Sequence, residues 1–476
     1  MAEETHEELA DFAVKQAQRL GATYAEARYE HTVGSGFSLK NGVPQMADIE
    51  EVEGLGIRLI FHGAVEFLST DWMNKEHVSK LVAQGIQNAS ASARLMKAPI
   101  ELSHEERIAG KCSVTQKERI EDYDVADKVE LLNDVEKAVS ASGLDAPARL
   151  FSLEDEVTYK YYTNSEGSCI ETRLPRLHFF YMMTLRHNHH TKQRHFQFDE
   201  TAGYEALKRW KLAERIVDEG KALLKVLKEG VQAPKEPDAI VIAPEITGIA
   251  CHESVGHPYE ADRILGREAA QAGESFLTPE DIGMRIGTEL VNVVDDPTLE
   301  GSAGYYLYDD EGVAARRKAL ITNGVVTEFL HNRESAWKMG LQSNGSARAM
   351  DYGSEPLVRM SNTFHLPGEM REEELFEGVK HGVYIKSFTE WNIDDRRMNQ
   401  RYVSAEAYLI EKGEITKPIR RVVLETTTRD FWGSVDAVAD NVEYFAGTCG
   451  KGEPMQGVPV WMGGPSLRLR GLRLGV

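Results

Sequence analysis

The chain has 476 residues, 55 of them basic and 76 acidic, a formal charge of -21, with 42% hydrophobic residues. At roughly 150 residues per domain that is material for about three globular domains, which excludes a disordered or hormone-like chain, and the acidity argues against a nucleic-acid backbone as the main partner. Four scattered cysteines (Cys112, Cys169, Cys251, Cys449) are too few for a disulfide scaffold, no apolar run approaches membrane-spanning length, and the acidic start Met1–Glu8 lacks the apolar centre of a secretory signal, so the expectation is a cytoplasmic protein that crosses no membrane.

In chain order, Thr5 to Gly21 reads as a helix. Thr5 and Glu8 suit a capping box, Leu9, Phe12, Ala13 and Leu20 share a face, and Gly21 supplies a stop. Ala25, Ala27 and Tyr29 alternate with Glu26, Arg28 and Glu30, the pattern of a half-buried strand. Two apolar runs flank His62-Gly63 as a hairpin, and Asn74 to Ala93 returns to helical period. Gly54-Leu-Gly56 has no third glycine and a strand runs on through it, so it is no dinucleotide loop. A second unit follows. Val125, Val129, Leu132 and Val139 mark a helix; Val157–Thr163, Cys169–Arg173 and Leu177–Arg186 read as strands around a turn at Asn164–Gly167; Tyr204–Leu227 reads as one charged amphipathic helix. The order helix, strands, helix therefore occurs twice.

Gly230–Pro237, polar with two prolines, marks the clearest boundary. Beyond it, Asn323-Gly324 and Lys412-Gly413 signal hairpins, and short alternating runs continue to the end. The expected fold class is α+β, with α+β units over residues 1–105 and 106–231 and a β-rich region with a helical insertion over 232–476.

Within that last region, Ala239–Ile242 is a short buried strand and Pro244 suits the first turn of a helix. There lies Cys251-His-Glu-Ser-Val-Gly-His-Pro258, a His-Glu-x-x-x-His pattern. On an ideal helix, positions five apart lie about 140° apart, against about 40° for positions four apart. For His252 and His257 to share one ion, the helix must end or widen between them. Gly256 is flexible and Pro258 disfavours the α region for His257, which predicts His257 on a turn. Glu253 stands where a carboxylate can poise a metal-activated water. Two histidines and a glutamate this close also occur in purely structural helices, and that alternative stays open on these residues alone. Cys251 reads as a buried apolar residue. A rival cluster, His187, His189, His190 and His195, is interleaved with Arg186, Lys192 and Arg194, which repel cations, and reads as a solvated strand end.

The segment Cys251-His-Glu-Ser-Val-Gly-His-Pro-Tyr-Glu-Ala-Asp262 resembles the metal motif of the TldD/PmbA metalloprotease family. Tyr308-Asp-Asp-Glu-Gly312, Arg359-Met-Ser-Asn-Thr363 and Gly447-Thr-Cys-Gly-Lys451 resemble further blocks of that family, in its order, so the likeness spans nearly the whole chain. The family has a motif-bearing kind, TldD, and a motif-lacking kind, PmbA or TldE; the complete motif makes this chain TldD-like. The resemblance implies zinc held by His252, His257 and Cys449, with Glu253 as catalytic carboxylate in a metallopeptidase of the C-terminal region acting on peptides or unfolded polypeptides. It also implies a homodimer, or a heterodimer with a PmbA-type paralogue. Gly447 and Gly450 suit a tight loop presenting Cys449. Glu260 and Asp262 are candidate acceptors for imidazole N–H groups, with a surface role as the alternative. A non-catalytic metal-binding regulatory subunit and a zinc amidase on small molecules are the other readings. Where the family often has Gly-Gly-Gln-Val-Asp, this chain has Thr389-Glu-Trp-Asn-Ile-Asp-Asp-Arg396, a departure that bears on substrate groove and partner choice.

Overall fold

The computed structural model describes residues 5–268 and 273–475; the first four residues of the acidic start lie outside them. Helix α1 (His6–Arg19) opens on the expected capping box, the Glu8 N–H donating to Thr5 Oγ1 and the Thr5 N–H to the Glu8 carboxylate. Gly21, at φ +95°, turns the chain out of it. Strands β1 (Tyr24–Lys40), β2 (Val43–Phe61) and β3 (Ala64–Thr70) follow as an antiparallel meander. The β2–β3 turn is the expected one, with His62 and Gly63 both at positive φ. Helix α2 (Lys75–Ala93) starts at its cap Asn74, and after β4 (Ala109–Ser113) helix α3 (Val125–Ala141) starts at Asp124.

Strands β5 (Ala148–Asn164), β6 (Cys169–His187) and β7 (His190–Glu200) complete a single seven-stranded sheet. Its order is β3-β2-β1-β5-β6, with β4 and β7 both bordering the far side of β6. The two strands expected over 169–173 and 177–186 are one. Pro175 falls where β4 has ended at Arg173 and β7 has not begun at Leu177, so a residue without an N–H leaves no ladder bond unmade on that side. The helix expected over Tyr204–Leu227 is in turn two, α4 (Ala206–Trp210) and α5 (Leu212–Glu229), broken at Lys211 with φ +47°. Trp210 is the reason. Its indole donates to Glu200 at 2.7 Å and its ring packs on Phe198, which pins the chain to the sheet before α5 can set off along it.

Helices α1, α2, α3 and α5 cover one face of this sheet and bury its apolar residues in two adjoining cores. The other face is polar. In β1, read as half-buried, both faces are covered: Ala25, Ala27 and Tyr29 lie under the helices, while Glu26, Arg28 and Glu30 are buried toward the C-terminal region. Arg58 ties Glu26 to Glu311 at 2.9 and 2.6 Å, and Arg28 donates to the backbone oxygens of Asp351 and Ser354. The alternation in β1 thus marks two protein faces rather than one core and solvent.

The C-terminal region holds an eight-stranded sheet centred on Ala239–Ile242, His381–Ile393 and Asn399–Glu411, and a six-stranded one that ends in Asn362–His365, Gln456–Gly464 and Glu443–Lys451. Asn323-Gly324 and Lys412-Gly413 make the expected hairpin turns at positive φ. Helix α6 (Pro244–Cys251) is wholly buried and shares one apolar core with both sheets. The fold is therefore α+β with a β-rich C-terminal region. No helix among the described residues is long and apolar enough to cross a membrane.

Candidate metal centre

The strand Ala239–Ile242 feeds α6 directly, with Pro244 in its first turn. After Cys251, which is fully buried as read from the sequence, the backbone widens into a π turn over His252–Gly256. The His257 N–H donates to the His252 carbonyl five residues back, which returns position i+5 to the face of position i. The two imidazoles then stand 4.9 Å apart, nearly perpendicular. Of the two outcomes the spacing allows, ending or widening, the helix widens, and the turn expected at His257 is not how it does so. His257 stays in the α region (φ -60°, ψ -48°) despite Pro258 and opens a short 3₁₀ turn. Gly256 serves a close approach instead, since a Cβ there would lie 2.5 Å from Met360 Sδ.

Cys449 comes from the strand Glu443–Lys451, not from a loop. Its pairing with Gln456–Gly464, and the parallel pairing of that strand with Asn362–His365, carry the thiol beneath the π turn. Cys449 Sγ is 3.4 Å from His257 Nε2, and one donor atom from each of His252, His257 and Cys449 lies within 4.8 Å of the others. All three are buried. Burial opposes ionisation of the thiol, but His257, Arg359 and His252 outweigh it and hold Cys449 well below the usual thiol range. Arg359, fully buried, also donates to the Cys449 and Gln456 backbone oxygens and so fixes the strand.

Glu253 is 6% exposed. Its Oε1 accepts from the Trp391 indole at 2.9 Å and its Oε2 from Arg397 Nη1 at 2.5 Å. Burial opposes its charge, but the two histidines, Arg397 and the Trp391 hydrogen bond hold the carboxyl below its ordinary value. Trp391 lies inside the Thr389–Arg396 departure and Arg397 follows it, so the segment that differs from the family pattern closes over the carboxylate. Arg397 carried no signal in the sequence.

Behind His257 lies a fully buried charge cluster. Glu260 Oε2 is 3.2 Å from His257 Nδ1 and accepts from Arg263 Nε at 2.6 Å, with Lys451 Nζ 3.1 Å away. Lys451 donates to both oxygens of Asp262 at 2.7 and 2.8 Å and to the Val358 carbonyl at 2.6 Å. Glu260 is thus set to orient an imidazole, whereas Asp262 serves Lys451; neither is on the surface. Lys451 closes the block that contains Cys449, and that proximity was the sequence signal for it. Among the described residues the His187–His195 cluster forms no comparable donor group; His187 and His190 flank the β6–β7 turn, while His195 borders the cavity over the centre.

That cavity, of about 300 Å³, lies between β7 and the strand of Cys449 and is roofed by Phe388 and Trp391. The donor set fits a divalent ion of borderline softness: two imidazole nitrogens and a thiol favoured as thiolate, with His252 Nδ1 buried and lacking a hydrogen-bond partner.

The fold and this donor set define an α+β protein with a buried His₂Cys constellation able to hold a metal ion. Three domain descriptions of one family match in order, "PmbA/TldA metallopeptidase domain 1" over residues 25–89, the central domain over 118–224 and the C-terminal domain over 236–476. A metalloprotease of Methanothermobacter thermautotrophicus is 31% identical over 452 residues, covering 95% of each chain. A zinc metalloprotease TldD homolog of Saccharolobus solfataricus is 26% identical over 466 residues, 97% of this chain and 98% of that one. The crystal structure of TldE from Thermococcus kodakarensis shares the fold at a TM-score of 0.74 and 15% identity, over 98% of this chain and all of that one. A Thermotoga maritima protein described as a modulator of a DNA gyrase does so at 0.78 and 18%, over 99% and 100%. This chain belongs to the TldD/PmbA metallopeptidase family.

Proposed function

We propose that the chain is a zinc-dependent peptidase acting on peptides or unfolded polypeptides. His252, His257 and Cys449 would hold the ion, and Glu253 would be the proton acceptor. When bound, zinc supplies a Lewis acid for the peptide carbonyl and acidifies a water molecule. Glu253, held ionised beside the donor triad, takes the proton of the attacking water and returns it to the leaving amine. Trp391 and Arg397 orient that carboxylate. The Cys449 strand is the last of its sheet, and its outer edge borders the cavity. An extended peptide laid along it would gain main-chain hydrogen bonds with little side-chain selection. The reading extends to a cytoplasmic setting and to assembly as a homodimer or with a PmbA-type paralogue.

The observation that carries this reading is the convergence of two imidazoles and a thiol within 4.8 Å, next to a buried carboxylate. Its test is a pair of variants. Glu253→Gln should keep zinc and lose cleavage of an unstructured peptide; Cys449→Ser should lose zinc by metal analysis. Retained cleavage in the first, or full zinc in the second, sinks the assignment. A second reading, a regulatory metal-binding subunit, is favoured by the engagement of both Glu253 oxygens. It expects zinc in the parent chain and no cleavage with any partner.

A further inference from the structure

The cavity over the donor triad has a gap in its wall that holding a metal does not require. Alternate residues of the strand Glu443–Lys451 share a face, so Phe445 and Gly447 lie on the face that presents Cys449. The middle position has no side chain. On α6 and its π turn, Glu245, Ile249 and His252 follow one another at helical spacing and border the same cavity. Gly447 is not at positive φ, so its backbone conformation does not demand glycine. A Cβ there would come within 3.0 Å of Cε, the flexible end of Met462, and 3.6 Å of Val460 Cγ2, and both residues border the cavity. The bare position leaves room between Phe445 and Cys449.

Much of the remaining wall is aromatic. Phe388 and Trp391 pack edge to face with ring centres 5.4 Å apart, and Phe196 and Phe445 do so at 6.0 Å. Trp391 is nevertheless 38% exposed, so apolar surface stands solvated beside the triad. The arginines and glutamates that border the cavity are already paired with each other. Arg194 donates to both oxygens of Glu245 at 2.9 and 2.8 Å, and Arg397 holds Glu253 at 2.5 Å. His195 and Thr448, both exposed, give the cavity a polar rim. An apolar interior with balanced charge and a polar rim is the pattern of a site for an uncharged, apolar group.

The position of the triad decides what can enter. Gly447 is two residues from Cys449, about 7 Å along a strand, and neighbouring Cα atoms of a peptide are about 3.8 Å apart. Side chains directly opposite each other on paired strands lie on one face. A peptide that pairs with the outer edge of this strand and brings a carbonyl to the triad therefore places the side chain of an adjoining residue over Gly447.

We infer that Gly447 and Trp391 form a side-chain subsite for a large apolar residue, aliphatic or aromatic, next to the scissile bond. The inference rests on the peptidase reading and narrows its substrates: main-chain bonds hold the extended peptide, and this one position selects. Leucine or phenylalanine there would cover the Trp391 ring and fill the room over Gly447. Lysine or glutamate would bury a charge among groups that are already paired.

The test reads binding, so it does not depend on turnover. Full-length, zinc-loaded Glu253→Gln protein is titrated by fluorescence anisotropy against fluorescein-labelled, unstructured ten-residue peptides. One variable residue (phenylalanine, leucine, alanine, lysine or glutamate) is walked along a glycine- and serine-rich background. At one position phenylalanine or leucine should bind at least tenfold tighter than alanine, with lysine and glutamate no tighter than alanine. Adding Gly447→Val should bring that ratio near one, and adding Gly447→Ala should lower it for phenylalanine more than for leucine. Adding Trp391→Ala should lower it at least threefold, and this exposed position carries the test if Gly447→Val loses zinc. The absence of any position with an apolar preference, or a preference that Gly447→Ala and Trp391→Ala both leave intact, overturns the inference. Failure of the peptidase reading looks different: the position-specific preference would stand while the zinc-loaded parent chain cleaves none of the peptides. Cleavage with equal kcat/KM whichever residue is placed would keep the peptidase reading and overturn the subsite.

Discussion

Replacing Glu260 with glutamine tests whether His257 is held for metal by the cluster behind it. The substitution keeps volume and one carbonyl oxygen, so packing is conserved and the change is the loss of one buried charge. Glu260 Oε2 faces His257 Nδ1 at 3.2 Å, Arg263 at 2.6 Å and Lys451 at 3.1 Å. Losing such a partner of a metal-binding imidazole weakens metal affinity about 10–100-fold, which is roughly 1.4–2.7 kcal/mol. Breaking a buried ion pair costs about 3–5 kcal/mol of stability, and the lower end applies here because Lys451 keeps both contacts to Asp262. Zinc affinity is read by competition with a chromophoric chelator, and stability by urea unfolding of the metal-free protein. The double variant Glu260→Gln with Arg263→Met separates the two effects. It removes the anion together with the cation bound to it at 2.6 Å and leaves Lys451 on Asp262, so stability should partly return while zinc affinity stays low. Parent-like zinc affinity in Glu260→Gln, or affinity that recovers in step with stability in the double variant, refutes the orienting role.

Two more outcomes follow from the geometry. Gly256→Ala puts a Cβ against Met360 and Thr363; shifting that packing should cost about 1–3 kcal/mol and lower zinc content, whereas an unchanged urea midpoint with full metal would show that the π turn tolerates a side chain. His365, 1% exposed, accepts from the Asn292 N–H at Nε2 and donates from Nδ1 to the Leu366 carbonyl, a pairing that suits the neutral ring. Burial pushes its pKa from 6.5 down to about 4, with the Leu366 contact opposing. Between those values the unfolded chain binds the extra proton, so this contribution is complete above pH 6.5 and is lost as pH falls toward 4, up to about 3 kcal/mol. The acid slope of the urea midpoint should flatten by that amount in His365→Gln, and an unaltered slope would contradict the assignment.

Local structure was legible wherever partners lie within a few residues of each other. The capping box at Thr5 and Glu8, the start of helical period at Asn74 and the turns at His62-Gly63, Asn323-Gly324 and Lys412-Gly413 depend on bonds or φ values within one turn of chain. The readings that failed needed distant information. The break at Lys211 depends on Trp210 reaching Glu200. The continuity of β6 through Pro175 depends on where two other strands stop. Cys449 on a strand rather than a loop depends on a hairpin whose glycines serve packing, since Gly447 and Gly450 face methionine side chains.

The centre divides along the same line. The five-residue spacing of His252 and His257 required by itself that the helix end or widen if both rings are to face one ion, because an ordinary helix would point them apart, and the resemblance of the ordered blocks pointed to Cys449 and Glu253 as candidates. How the turn widens, which cations neutralise Glu260, and that Trp391 and Arg397 hold Glu253 were decided by tertiary structure. Spacing along a chain constrains what can share a helix face, but strand register between distant segments is set by the packing of whole sheets, and that register brings a thiol, two rings and an acid to one place.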